Sequence, residues 1–74
     1  MKKLNTVSGF VKERRRKLHL TQVELAQKAG VGLRFIRDLE QGKKTLRMDT
    51  VNQVLDLFGC ELGPVRKSFE DADE

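Results

Sequence analysis

Cysteine and histidine each occur only once in this sequence of 74 residues. The single cysteine, Cys60, cannot form a disulfide within the chain, and one cysteine with one histidine falls short of the four ligands of structural zinc sites. The sequence also lacks a glycine-rich phosphate loop and paired carboxylates in an apolar setting. We therefore expect no metal, no cofactor and no enzymatic activity.

Long apolar runs are missing as well. No stretch approaches the ~20 residues that a membrane span needs, and the N-terminal MKKL is followed by polar residues rather than by a signal-peptide core. We expect a cytoplasmic protein without a membrane partner. A chain of this length holds one domain of marginal stability, and without disulfides or metal its expected support is oligomerisation.

The charge that is present is unevenly distributed. The formal net charge is +4, but residues 70–74 contain four acidic and no basic residues, so residues 1–69 carry +8. We divide the chain into a basic domain over 1–69 and an acidic tail over 70–74. A basic body favours a polyanionic partner, although charge alone fits a solvated surface equally well.

Apolar spacing predicts four helices. The first runs from about Thr6 to Lys17, and Asn5, Thr6 and Ser8 are all candidates for its N-cap. The second helix is expected to begin with a capping box at Thr21 and to end at Gly30. The third should run from near Gly32 to about Gln41, and the fourth from about Met48 to Phe58. Their predicted inward-facing side chains are Val23, Leu25, Ala26, Ala29, Phe35, Ile36, Leu39, Met48, Val51, Val54, Leu55 and Phe58.

The informative segment reads LTQVELAQKAGV over residues 20–31 and GLRFIRDLEQGK over residues 32–43. Two short helices meet there across Gly30-Val31-Gly32, and Ala26 is small where they would cross. This arrangement leaves the outer face of the third helix exposed, and a DNA major groove is wide enough to admit such a helix.

This pattern resembles the helix-turn-helix of the Cro and phage-repressor (Xre-type) family over about residues 7–59. The resemblance implies an all-α, compact four- to five-helix lambda-repressor-like domain that binds operator DNA as a transcriptional repressor in the bacterial nucleoid. Because the chain is short and its end looks strand-like, it is similar in particular to HipB-type antitoxins. That similarity implies a HipA-like kinase toxin as a partner and repression of the protein's own promoter.

The resemblance also implies which residues contact DNA. Gln22 matches a phosphate contact at a helix N-terminus. The positions that face the groove are Gly32, Leu33, Arg34, Arg37 and Asp38, and the backbone-tracking loop supplies Lys43, Lys44 and Arg47. Arginine can bond bidentately to guanine, whereas Asp38 could accept from cytosine or orient Arg34. Without the motif, Arg34 and Arg37 would be interpreted as ordinary surface charges.

Two further expectations concern structure. Arg15 and Glu40 match an internal salt bridge of the family. The stretch CELG over 60–63 alternates as a short strand would, and one strand needs a neighbour. Cys60, Leu62 and Val65 have no obvious place in a four-helix core, so we expect this segment to pair with a second copy in a homodimer, with Leu55 and Phe58 beneath it.

Two alternatives to the antitoxin function remain. One is a helix-turn-helix that binds protein instead of DNA, and the other is a repressor without a toxin.

Overall fold

The computed structural model describes residues 6–66 and contains four helices within them. They are α1 (Val7–Lys17), α2 (Gln22–Ala29), α3 (Leu33–Glu40) and α4 (Met48–Asp56). The predicted helical fold is thus confirmed. The acidic tail and Asn5 lie outside the described residues. In this part of the chain, no helix has the length and apolar character needed to cross a membrane.

The first helix is capped by Thr6, one of the three residues that the sequence left open. Its side-chain oxygen accepts a hydrogen bond from the Gly9 backbone N–H at 3.1 Å. This bond satisfies one of the N–H groups that lack a partner in the first helical turn. Helix α1 then ends after four consecutive basic residues, which suit the negative end of the helix dipole.

The predicted capping box of α2 is present in both directions. Thr21 Oγ1 accepts from the Glu24 N–H at 3.0 Å, and Glu24 Oε1 accepts from the Thr21 N–H at 2.8 Å. The helix ends at Gly30, whose φ of +74° lies in the left-handed region that favours glycine. Gln53 of α4 donates to the carbonyls of Ala29 and Gly30 at 3.0 and 3.1 Å, and so fixes this turn against α4.

Helix α4 is shorter than predicted, because its last turn tightens. The N–H groups of Leu57 and Phe58 bond three residues back, to Val54 and Leu55, instead of four. Such i→i−3 bonds are common at helix ends and account for the difference of two residues from the prediction. Gly59, with a φ of +73°, then turns the chain back towards the domain.

The core draws on all four helices. Its buried apolar side chains are Val11, Leu25, Ala26, Ile36, Leu39, Val51, Val54 and Leu55. The predictions that Val23 and Met48 face inward are wrong, since they are 46% and 70% exposed. Both lie within the first two residues of a helix, and the buried positions of α2 and α4 begin only further along.

The segment after α4 lies against its own domain. Leu62 N–H donates to Asn52 Oδ1 at 2.6 Å, and Cys60 N–H donates to the Leu55 carbonyl at 3.0 Å. The side chains of Cys60 and Leu62 are half-buried against the core, so the expectation that they lack a place there is wrong. Val65, by contrast, is 85% exposed. Residues 60–66 form no strand within the described chain.

Candidate nucleic-acid interface

Helix α3 presents two arginines on its outer face. Ile36 and Leu39 are buried, whereas Arg34 and Arg37 are exposed and lie three residues apart, on the same side of the helix. Gly32 caps the start of α3 without a side-chain hydrogen bond and is exposed, so backbone N–H groups there remain accessible to an anion. This face can approach a polyanionic surface closely.

The other two groove-facing candidates are less accessible. Leu33 is half-buried and packs against the core, so only part of its side chain could reach a base. Asp38 is also half-buried, and its carboxylate forms an ion pair with Lys43 Nζ at 3.6 Å. The sequence left cytosine and Arg34 open as partners of Asp38, and the ion pair with Lys43 was not among those expectations.

The loop between α3 and α4 carries the remaining predicted contacts. Lys43, Lys44 and Arg47 are all exposed. Arg47 forms a two-pronged ion pair with Asp49: Nη2 donates at 2.7 Å and Nε at 3.2 Å to the two carboxylate oxygens. These hydrogen bonds raise the pKa of Arg47 and lower the pKa of Asp49. Both groups are therefore charged at neutral pH.

Beneath this surface, the structure brings Arg15 and Glu40 together. Arg15 Nε and Nη2 donate to the Glu40 carboxylate at 2.7 and 3.0 Å, and Nη1 donates to the Leu20 carbonyl at 2.9 Å. The two side chains are 13% and 2% exposed. The hydrogen bonds to Glu40 raise the pKa of Arg15 and outweigh the opposing effect of burial. This pair fixes α1 to the end of α3.

Gln22 joins the same network. It is the first residue of α2, and its Nε2 donates to Glu40 Oε1 at 3.1 Å. Glu40 therefore accepts hydrogen bonds from α1 and from α2 while it closes α3. The side chain of Gln22 is half-buried, so part of its amide remains accessible at the surface where a phosphate contact was expected.

Three residues with positioning contacts were not predicted. Asp49 holds Arg47, Gln53 fixes the turn between α2 and α3, and Asn52 holds the segment after α4. The sequence carries no helical-spacing signal for these contacts, since Arg47 and Asp49 are two residues apart and the other two partners are backbone atoms. Across the described chain, no group of three potential metal-ligating side chains is close enough to hold an ion.

Away from this surface, a groove of about 490 Å³ lies between the start of α1 and the segment after α4. It includes most of the residues predicted for dimerisation. Its lining residues are Thr6, Val7, Phe10, Leu55, Cys60, Glu61, Leu62, Gly63 and Val65. Phe58 lies beside it, with its ring edge-on to Phe10 at 6.2 Å between centroids.

Comparison with known proteins agrees with this geometry. The helix-turn-helix family matches residues 11–65, which is most of the chain. The chain belongs to the helix-turn-helix family. This helix-turn-helix chain is 48% identical over 56 residues to an uncharacterized HTH-type transcriptional regulator, y4mF, of Sinorhizobium fredii. The alignment covers 76% of the chain and 74% of that relative. No solved structure matches it.

Proposed function

We propose that this protein is a sequence-specific DNA-binding transcription regulator that inserts α3 into the major groove. The observation that carries the proposal is the pair of exposed arginines, Arg34 and Arg37, on the outer face of a helix whose inner face is buried. Family membership and a relative named as a transcriptional regulator support the same function. As a repressor, the protein would act by occupying its operator.

Within this proposal, direct readout belongs to α3. Arg34 and Arg37 donate to guanine O6 and N7, the commonest specific contact in the major groove. Asp38 accepts from a cytosine amino group after leaving Lys43, and the exposed edge of Leu33 contacts a thymine methyl. Gly32 has no side chain, and a Cβ added there would meet no atom within 4 Å, so the backbone is open to close approach by DNA.

Phosphate contacts surround this helix. Gln22 begins α2, which precedes this helix in the chain, and the exposed loop residues Lys43, Lys44 and Arg47 follow it. Such contacts set the position of the protein on the duplex but carry no sequence information themselves. They predict that total affinity falls steeply as salt increases, through release of condensed counterions.

Arginine substitutions test the assignment of specificity. A preferred duplex is first selected from a random library, and affinity is then measured for it and for a scrambled duplex at fixed salt. Arg34→Ala or Arg37→Ala should lose ~1–3 kcal/mol on the preferred duplex and much less on the scrambled one. Lys44→Ala is the matched control, because a phosphate contact should weaken both duplexes equally. Equal losses for the arginine variants would refute the assignment.

A salt titration separates DNA binding from the alternative of a protein-interaction module. Affinity for DNA should decline linearly with the logarithm of salt concentration, with a slope that reflects several phosphate contacts. A domain that has lost DNA binding would show neither a preferred duplex nor this slope.

The proposal includes a homodimer joined through the segment after α4. A two-fold dimer would present two copies of α3 to a palindromic operator, at half-sites about one helical turn apart. Support comes from the open groove that this segment lines and from Val65, which is an apolar residue 85% exposed at its edge. A second copy would bury both.

Substitution of Val65 tests the dimer better than truncation, because Cys60 and Leu62 also pack in their own domain. Val65→Asp should leave the fold intact and shift the mass measured by sedimentation towards the monomer, since a charge would enter an apolar interface. Leu18→Asp, at another exposed apolar side chain, is the control and should not change the mass. A wild-type monomer at micromolar concentration would rule the dimer out.

The narrower role as an antitoxin rests only on the resemblance to HipB-type proteins. Its test is genetic: a gene for a HipA-like kinase toxin beside this one, and co-purification of the two products, would support it. A stand-alone repressor would have no such neighbour, and the DNA-binding proposal would be unaffected.

A further inference from the structure

Two features at the start of α4 would attract a phosphate, namely the Arg47 guanidinium and the first turn of the helix, and Asp49 lies at both. Its carboxylate accepts hydrogen bonds from Nη2 and Nε of the Arg47 guanidinium, at 2.7 and 3.2 Å. It is also the second residue of α4, close to the N–H groups that lack partners in a first turn. Arg47, the residue at the N-cap position, supplies no side-chain cap there.

The local contacts hold the carboxylate in its ionised form. The Arg47 hydrogen bonds are the main cause that lowers the pKa of Asp49, and the backbone and hydroxyl of Thr50 act in the same direction. Thr50 Oγ1 donates to the carboxylate at 3.3 Å. Asp49 is thus a permanent anion at neutral pH, with the geometry that arginine also offers to a phosphate.

We propose that Asp49 is an internal competitor of DNA phosphate for Arg47, and that it lowers the affinity of this protein for DNA of any sequence. This inference rests on the proposed function, specifically on Arg47 as a phosphate contact. Both partners are well exposed, with 80% and 67% of their side chains accessible, so DNA can reach the pair.

The competition follows from charge as well as from geometry. A phosphate that takes the same side of Arg47 must displace Asp49, and the displaced carboxylate then lies beside the phosphate without its guanidinium partner. Arg47 therefore adds less net positive charge to the interface than Lys44, which is exposed in the same loop. The effect acts on a backbone contact, so it does not change the preference between sequences.

The experiment compares Asp49→Asn with Asp56→Asn in the full chain. Asp56 is exposed at the last residue of α4, about 12 Å along the helix from Met48, so its variant makes the same change in net charge away from Arg47. Affinity is measured across a salt series for the selected duplex and for its scrambled form. Folding is checked by circular dichroism.

Relative to Asp56→Asn, Asp49→Asn should bind both duplexes about two- to fivefold more tightly, the range expected for release of an exposed ion pair. The ratio between the duplexes should not change. The plot of log affinity against log salt should become steeper by up to about 0.9, because one more phosphate contact then forms without loss of an internal partner.

A double substitution isolates the pair. Arg47→Ala should weaken binding more in the Asp49→Asn background than in the wild-type protein, because only there is the guanidinium fully available to DNA. Equal effects of Asp49→Asn and Asp56→Asn would overturn the proposal. Weaker binding by Asp49→Asn would also overturn it, and would show that Asp49 orients Arg47 towards DNA instead.

These failures differ from failure of the proposed function. If Arg34→Ala still reduces specificity while Asp49→Asn behaves like its control, only the competition is wrong. If the wild-type protein selects no preferred duplex and shows no salt dependence, the DNA-binding function itself is wrong.

Discussion

This domain contains two arginine–carboxylate forks, in which two guanidinium N–H groups bond to the two oxygens of one carboxylate. The two forks have similar geometry and opposite surroundings. Arg15 and Glu40 meet at 2.7 Å with 13% and 2% of their side chains exposed, and Arg47 and Asp49 meet at the same distance with 80% and 67% exposed. The first fork joins residues 25 positions apart in the chain, whereas the second joins residues only two apart.

The difference teaches that burial, more than contact distance, decides what an ion pair does. A buried pair has already lost its water, so either charge left alone would be costly and the pair constrains the fold. An exposed pair exchanges readily with water and ions, so it contributes little to stability and is available to a competing anion. The same chemistry is thus structural beneath α3 and exchangeable beside it.

The largest expected effect is on the buried fork. Glu40→Ala should lower the free energy of unfolding by about 3–5 kcal/mol, because the Arg15 guanidinium is left buried without its partner. Chemical or thermal denaturation measures the change. In a domain this small, such a loss unfolds a substantial fraction of molecules. Asp49→Ala is the comparison and should leave the denaturation midpoint essentially unchanged.

A double variant distinguishes a stranded charge from lost packing. Arg15→Met combined with Glu40→Leu removes both charges and keeps apolar volume, so it should recover most of the stability that Glu40→Ala loses. A double variant as unstable as Glu40→Ala would mean that the hydrogen bonds to Leu20 and Gln22 matter more than the charge.

Much of the fold could be predicted because its signals are local. The capping box at Thr21, the left-handed Gly30 and the spacing of Ile36 and Leu39 are each set by neighbouring residues, and the helix boundaries follow from them. The Arg15–Glu40 pair came from family resemblance, since no local pattern joins two residues that far apart in sequence.

The rest depends on contacts that sequence patterns do not encode. Alternation in CELG suggested a strand, but the Leu62 N–H donates to the side chain of Asn52, which lies in α4 of the same chain. The ion pair of Asp38 with Lys43 was not predicted either, and it forms across the turn at Gly42. In both cases a side chain from a neighbouring segment supplied a partner that periodicity could not identify.

The smallest expected effect concerns Gln22, which belongs both to the buried network and to the proposed DNA surface. Gln22→Ala removes a single hydrogen bond to Glu40 and leaves both bonds from Arg15, so it should lower the free energy of unfolding by only about 0.5–1.5 kcal/mol. Gln27→Ala, at an exposed position of the same helix, is the control for side-chain loss.

DNA affinity then decides whether Gln22 is purely structural or also contacts DNA. If its amide also donates to a phosphate, Gln22→Ala should weaken binding to the selected and the scrambled duplexes by the same factor, whereas Gln27→Ala should not. A loss of stability with unchanged affinity would instead leave the whole network around Glu40 structural. In that case the phosphate contacts would come only from exposed side chains such as Lys44, and the network around Glu40 would serve the fold alone.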